Sequence, residues 1–393
     1  MLSPAGSALD VVTTRPADAF VDSVGVNTHV TYADTSYARH AEIAARLREL
    51  GVRHVRDGLF PDRADEVARL HALAVQGQRA TLILRPPAGR AARIVDGPLR
   101  GAVEAVENPN ELDNRGVADW PAVARSFAPR LRAAVHGVPV LGPSLAFESN
   151  RARIASAAAQ WDVTNVHRYA AGQPPERGLA ADLRRAREAE GARKPVVVTE
   201  SGYHDALRAT AGQPPVSDDA AGVYVPRLLL EDFRLGVART FLYELADERP
   251  EPGLRDPEQH FGLLRSDLSE KPAFVALRSL LQLIKPDSQA PAVPLRYTAT
   301  GPAKLHQLLF QQDARHQVLV LWRDVSVWDR LTRRDEDVAP ERVDVTFGQP
   351  IDSAETYALD SATGEPTDTV HSPRSLGVDV SGQAVVVRLT LPG

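Results

Sequence analysis

Between residues 24 and 285, short apolar runs alternate with segments whose apolar residues recur every three to four positions. The runs Ser23–His29, Val52–Asp57, Ala80–Leu84, Ala102–Glu107, Val138–Leu141, Val163–Val166, Pro195–Thr199 and Thr240–Tyr243 predict eight strands. Several are apolar almost throughout, as parallel strands covered on both faces require. Helical periodicity lies between them, at Ala38–Leu50, Ala64–Ala74, Pro121–Val135, Leu179–Glu190 and Ala220–Leu235. Gly51, Gly137, Gly191 and Gly236 each follow a helical segment shortly before a strand, which predicts left-handed caps that turn the chain back into the sheet. Eight strand–helix units favour a closed (β/α)8 TIM barrel over an open doubly wound sheet. The Gly-rich phosphate loops that mark many open sheets do not occur.

After Lys285 the texture changes. Ala290-Pro291-Ala292-Val293-Pro294 reads as a linker, and alternating runs follow at Lys304–Gln311, His316–Trp322, Arg342–Phe347, Glu355–Leu359, Leu376–Val380 and Ala384–Leu391. Turn-rich clusters separate them, the pattern of a C-terminal β-sandwich domain. The expected organisation is an N-terminal segment (1–20) whose strand-like stretch Ala8–Thr14 pairs with the sandwich, a barrel (21–288) and the sandwich (289–393).

Composition narrows the function classes. The net charge of −5 across 393 residues gives no reason to expect a nucleic-acid or membrane partner. With no cysteine, thiolate metal sites and a cysteine nucleophile are excluded. None of the 11 histidines forms an H-x-H or H-E-x-x-H pair, so no metal or other cofactor is expected. The N-terminus lacks a basic and apolar leader, so the protein is either cytoplasmic or a mature form whose signal was removed; the extracellular alternative is favoured.

Inward-pointing residues at the C-terminal ends of barrel strands reach the active-site mouth. The predicted strand ends supply Asn27 and His29, Arg56 and Asp57, Arg85, Asn110 and Glu111, Ser144, His167 and Tyr169, Glu200, then Tyr243 and Glu244. Glu111 in Glu107-Asn108-Pro109-Asn110-Glu111 and Glu200 in Val196-Val197-Val198-Thr199-Glu200 are carboxylates just beyond or at the end of apolar runs. Facing each other across a barrel mouth, such a pair suits the two carboxylates of a glycosidase, and 5–5.5 Å between carboxyl groups is the spacing for retention.

These strand-end motifs, with His260-Phe261-Gly262-Leu263-Leu264 and Lys271-Pro272-Ala273-Phe274, resemble a clan A glycoside hydrolase over residues 20–285. The appended sandwich resembles the β-xylosidase/iduronidase-like branch of that clan. The resemblance implies a carbohydrate substrate, Glu111 as acid/base, Glu200 as nucleophile and Asn110 as donor to the sugar 2-hydroxyl. It further implies that Arg56 keeps Glu200 ionised and that Tyr169 hydrogen-bonds it. His29, His167 and Tyr243 complete the expected substrate-binding set. Burial beside apolar walls is expected to raise the Glu111 pKa.

Two departures bear on the substrate. Leu112 follows Glu111 where proline is common in the clan, and Tyr243-Glu244 replaces the usual tryptophan after strand eight. Only Trp120 and Trp161 fall within the barrel, which points to polar recognition of a few sugar units rather than an aromatic-lined groove. Arg56, Arg85 and Arg168 form a candidate cluster for an acidic sugar. Two alternatives carry different chemistry: a non-catalytic carbohydrate-binding barrel, and an α/β-hydrolase using Ser144 of Gly142-Pro143-Ser144-Leu145-Ala146 with Asp247 and His260.

Overall fold

The computed structural model describes residues 9–286, 288, 290–360 and 364–393. Residues 1–8, including Ala8 of the predicted first strand, and Gln289 at the predicted domain boundary lie outside these. Eight parallel strands form the central sheet: β1 (Val24–Asn27), β2 (His54–Gly58), β3 (Arg79–Ile83), β4 (Val103–Glu107), β5 (Val140–Leu141), β6 (Thr164–His167), β7 (Val196–Ser201) and β8 (Arg239–Leu242). Neighbours pair in chain order, β8 returns to β1, and a single Leu141–Val163 bridge joins β5 to β6. The expected barrel is therefore present, closed most loosely where β5 is only two residues long.

Alternation along each strand divides the side chains between the outer helices and the barrel interior. Ala105, Leu141, Val163, Val197 and Phe241, from strands or bridge positions on one side of the barrel, pack as a separate apolar cluster. Gly25 accommodates the Phe241 ring, because a Cβ there would come within 2.5 Å of it. The next inward positions along the chain include Asn27, Arg56, Glu107 and His167, so a polar layer lies above an apolar plug.

One irregularity shapes the site. The register of β7 slips against β6 between Val166 and His167, and against β8 between Thr240 and Leu242. This bulge lets consecutive residues Thr199 and Glu200 both turn inward, Thr199 beneath His167 and Glu200 into the mouth.

The five expected helices are present to within two residues at their ends, and Ala88–Asp96 and Pro272–Ile284 add to them. The β5–β6 connection instead uses short 3-10 turns, Glu148–Arg153 and Ala155–Gln160. Gly51 is a left-handed cap as expected, and Gly236, also at positive φ, directly follows the cap residue Leu235. Gly137 lies in a turn beyond its helix, and Gly191 has φ 121° and ψ 118°, outside the left-handed helical region. No described helix is long and apolar enough to cross a membrane.

Most of the remaining described strands form two stacked, largely antiparallel layers, and Trp328–Asp329 pairs separately with Arg334–Asp335. Asp10–Val12, Leu295–Thr300, Glu341–Phe347 and Ser375–Val380 make one sheet. Asp368–His371, Ser353–Ala358, Val385–Thr390, His316–Arg323 and Leu305–Gln311 make the other, with Arg15–Pro16 added in parallel at its edge. Leu295, Tyr297, Leu319, Val343, Val378 and Val387 fill the space between them. The larger sheet turns its outer apolar face, including Phe310 and Trp322, onto the barrel helices. Phe20 and Phe233 pack on Phe310 at ring distances of 5.3 and 5.8 Å. Arg227 is wholly buried at this joint, donating to Glu176 on the barrel side and to the Val325 and Gly382 carbonyls on the sandwich side.

Candidate active site

Arg56 is the hub of the mouth. Its side chain is 2% exposed, and all five N–H groups are used. Nε and Nη2 grip both oxygens of the fully buried Glu107 at 2.7 and 2.8 Å. Nη1 donates to Glu200 Oε1 at 2.6 Å and Asn27 Oδ1 at 2.9 Å, while the remaining Nη2 hydrogen goes to Asn110 Oδ1 at 2.6 Å. Arg56 therefore holds Glu200, as expected, but has no N–H left for substrate. Glu107 was invisible as a site residue because, within the strand-end sequence, it looks like a mere terminus. Its inward position opposite a buried arginine is what distinguishes it.

The second oxygen of Glu200 accepts from Tyr169 at 3.1 Å. Glu111 stands across from it, in the left-handed conformation (φ 45°) that side-chain-bearing residues seldom adopt. Its Oε1 lies 2.7 Å from His167 Nδ1, which is also 3.3 Å from Glu200 Oε2. Donor atoms of Glu111, His167 and Glu200 all fall within 4.8 Å of one another. Burial pushes the Glu111 carboxyl up, but the His167 hydrogen bond and charge, helped by Arg56, outweigh it and leave the group below its ordinary value. The expected upward shift is thus corrected: the burial is present, but an imidazole fills the space beside the carboxyl.

His167 has a 1% exposed side chain and both ring nitrogens committed, so it stands between the carboxylates rather than reaching for a sugar. Asn110 Oδ1 accepts from Arg56 and from Ser144 Oγ at 3.1 Å, which leaves its amide hydrogens facing the cavity. That bond also accounts for Ser144, which is fully buried. Asp247 pairs with Lys271 and His260 with Asp205, so no serine triad exists. Asp57 accepts from Thr28 Oγ1 and from the Val30 and Gly58 amides.

The cavity above these groups has a volume of about 880 Å³. His29, Tyr32, Phe60, Phe147, Tyr243 and Phe261 are among its walls. The aromatic surface therefore comes from Tyr and Phe in loops; Trp120 and Trp161 are both buried away from it. Tyr243 donates to Glu258 at 3.1 Å. The predicted arginine cluster does not assemble. Arg168 turns away to the Pro175 carbonyl and Asp182, whereas Arg85 remains at the mouth, over the Phe60 ring and near Arg115.

His29 stacks on Tyr32 and meets Glu244 Oε2 at 3.2 Å. Glu244 is fully buried and also accepts from Tyr37 at 2.8 Å. Burial alone would depress the His29 pKa, but the Glu244 carboxylate outweighs that and raises it to about 9. The stabilisation from this pair is therefore complete below the unfolded value of ~6.5 and lost as pH rises through about 9. Glu244→Gln is expected to remove that alkaline loss, measured as urea midpoints across pH for both proteins; parallel curves would contradict it. Two triads, His29–Glu244–Glu248 and Glu111–His167–Glu200, have donor spacing that a metal ion could use. In each, a carboxylate already has donors from the protein: Tyr37 for Glu244, Arg56 and Tyr169 for Glu200.

The sequence matches no protein-family model and no curated protein. Its structure is similar to that of a family 39 glycoside hydrolase from the gut symbiont Bacteroides cellulosilyticus WH2, with a TM-score of 0.69 at 16% identity over 96% of this chain and 83% of that one. A monomeric beta-xylosidase from Caulobacter crescentus CB15 gives 0.65 at 14% identity, covering 98% of each chain. A glucosidase from Croceicoccus marinus gives 0.64 at 13% identity, covering 99% of this chain and 98% of that one. The barrel-plus-sandwich architecture built here from strand order and burial is thus the fold of these glycosidase structures.

Proposed function

We propose that this protein is a retaining glycoside hydrolase. The observation that carries the reading is the meeting of Glu111 and Glu200 at the floor of the mouth, with carboxylate oxygens within 4.8 Å. One oxygen of each carboxylate within 4.8 Å of the other is compatible with the ~5–5.5 Å carboxyl spacing of a retaining enzyme, in which one of the pair attacks directly.

Glu200, held by Arg56 and Tyr169, attacks the anomeric carbon. Glu111 protonates the departing oxygen, and its carboxylate then takes a proton from the water that releases the sugar. The free amide hydrogens of Asn110 suit a sugar hydroxyl beside the reacting carbon. The His29 imidazolium, steadied by Glu244, and the Tyr and Phe walls suit the polar edge and apolar face of a sugar. A cavity of about 880 Å³ is sized for a few sugar units.

Proton NMR of the first product released from a panel of aryl glycosides and oligosaccharides tests this. The initial anomer is expected to keep the substrate's configuration. An inverted first product would overturn the assignment, and binding without turnover would favour the non-catalytic barrel.

A further inference from the structure

His167 belongs to a hydrogen-bond chain that begins at two fully buried side chains. Asn165, fully buried, donates from Nδ2 to the Gly142 carbonyl at 3.0 Å, so its Oδ1 faces Thr199. Thr199 is fully buried too, and its one hydroxyl hydrogen goes to that Oδ1. The Thr199 oxygen is left to accept, and its neighbour at 3.0 Å is His167 Nε2. Arg56 Nη2 lies 3.4 Å from the same nitrogen, but its hydrogens go to Glu107 and Asn110. The ring must therefore carry hydrogen on Nε2 whether it is neutral or charged. A neutral ring of that tautomer turns the Nδ1 lone pair toward Glu111 Oε1, 2.7 Å away. Two lone pairs at that distance repel, so one proton belongs between them.

From this we propose that Glu111 and His167 hold a single proton in common, and that the buried Asn165–Thr199 pair fixes the imidazole tautomer which keeps that proton available to Glu111. His167 is then a positioning residue, and the proposal rests on the glycosidase reading above. The groups facing the shared proton are Glu111 from the loop after β4, Glu200 and Thr199 from β7 and Arg56 from β2. Tyr169 acts on it through Glu200, Glu107 through Arg56, and Asp113 lies near Glu111.

In the first half-reaction the proton passes from Nδ1 to the Glu111 carboxylate, and from there to the leaving oxygen as its bond to the anomeric carbon breaks. Glu111 is left ionised and His167 neutral. In the second, the attacking water gives a proton to Glu111 as its oxygen bonds the anomeric carbon and Glu200 departs, which restores the shared proton.

The chain makes a prediction that a structural role would not. Thr199→Val removes the acceptor for Nε2–H, so the neutral ring is free to move its hydrogen to Nδ1 and donate to an ionised Glu111. The pair then gives up its proton at lower pH. The basic limb of the kcat/KM profile is expected to fall by about one unit. Turnover of an alkyl glycoside, which needs protonation, is expected to drop about tenfold. A dinitrophenyl glycoside, whose leaving group needs no proton, should form its glycosyl-enzyme at an unchanged rate. Equal losses on both substrates, or an unmoved basic limb, would overturn the proposal.

Nitrogen-15 NMR of the unmodified protein gives a second test that needs neither turnover nor the variant. His167 is expected to keep hydrogen on Nε2 throughout its titration, and a neutral Nδ1–H ring would sink the proposal. Failure of the unmodified protein to hydrolyse any glycoside, with the ring protonated as expected, would refute the glycosidase reading and leave the proton pair standing.

Discussion

Replacing Glu200 by Gln is expected to lower kcat by roughly 10,000-fold or more while leaving the fold intact. An amide of the same shape cannot displace the leaving group, and removing a nucleophile costs about that much or more in enzymes whose residues act as a unit. The fold should survive because Arg56 keeps its two bonds to Glu107 and those to Asn27 and Asn110. The comparison to make is kcat on an aryl glycoside beside the circular dichroism and melting temperature of both proteins. Turnover near the unmodified rate would remove Glu200 from the nucleophile role. Loss of the fold would show that the carboxylate is chiefly structural.

The largest expected change in stability comes from Arg56→Met. Breaking a buried ion pair by removing one member typically costs about 3–5 kcal/mol, because the other charge is left buried without compensation. Here the wholly buried Glu107 loses both its bonds from Arg56, and Glu200 is left with Tyr169 and the nearby His167. Arg184 and Glu188 form a useful contrast: they pair at 3.6 Å with both side chains about two-thirds exposed, 65% and 66%. Arg184→Met is expected to change stability by less than about 1 kcal/mol. Urea unfolding of both variants checks the contrast. A small loss for Arg56→Met would mean that Glu107 takes up a proton and remains neutral in the fold.

The difference between these two arginines also shows what could be seen in the sequence. Position at a strand end picked out Arg56, Glu111, Glu200 and Tyr169, because apolar runs locate barrel strands to within a few residues and the barrel rule says where their ends point. The hub role of Arg56 was not visible, since it depends on Glu107 and Asn27 lying at the same level on other strands. Neither was the bulge in β7: Val196-Val197-Val198-Thr199 is β-branched throughout and carries no mark of an extra residue. That bulge puts Thr199 beside His167, so the imidazole's true neighbours could not be guessed.

Loop chemistry was harder still. Arg56, Arg85 and Arg168 look alike as strand-end cations, yet the loop 170–178 draws Arg168 off to its own carbonyls. The Tyr and Phe walls come from loops whose sequences show no periodicity to place them.

The path of the chain from Asp10 to the barrel has a further consequence. Asp10–Val12 and Arg15–Pro16 lie on the two layers of the sandwich before the chain enters the barrel at Val24, and the chain returns to the sandwich at Leu295. Topologically, the barrel is a guest threaded into a host sandwich, with both of its ends moored there. A cut in 290–294 would leave two pieces clasped by the hydrogen bonds between Asp10–Val12 and Leu295–Tyr297 and by the buried Arg227 joint. The lobes are linked in a ring rather than strung as beads, so neither end of the chain can be trimmed back to a free-standing barrel without stripping a strand from its neighbour.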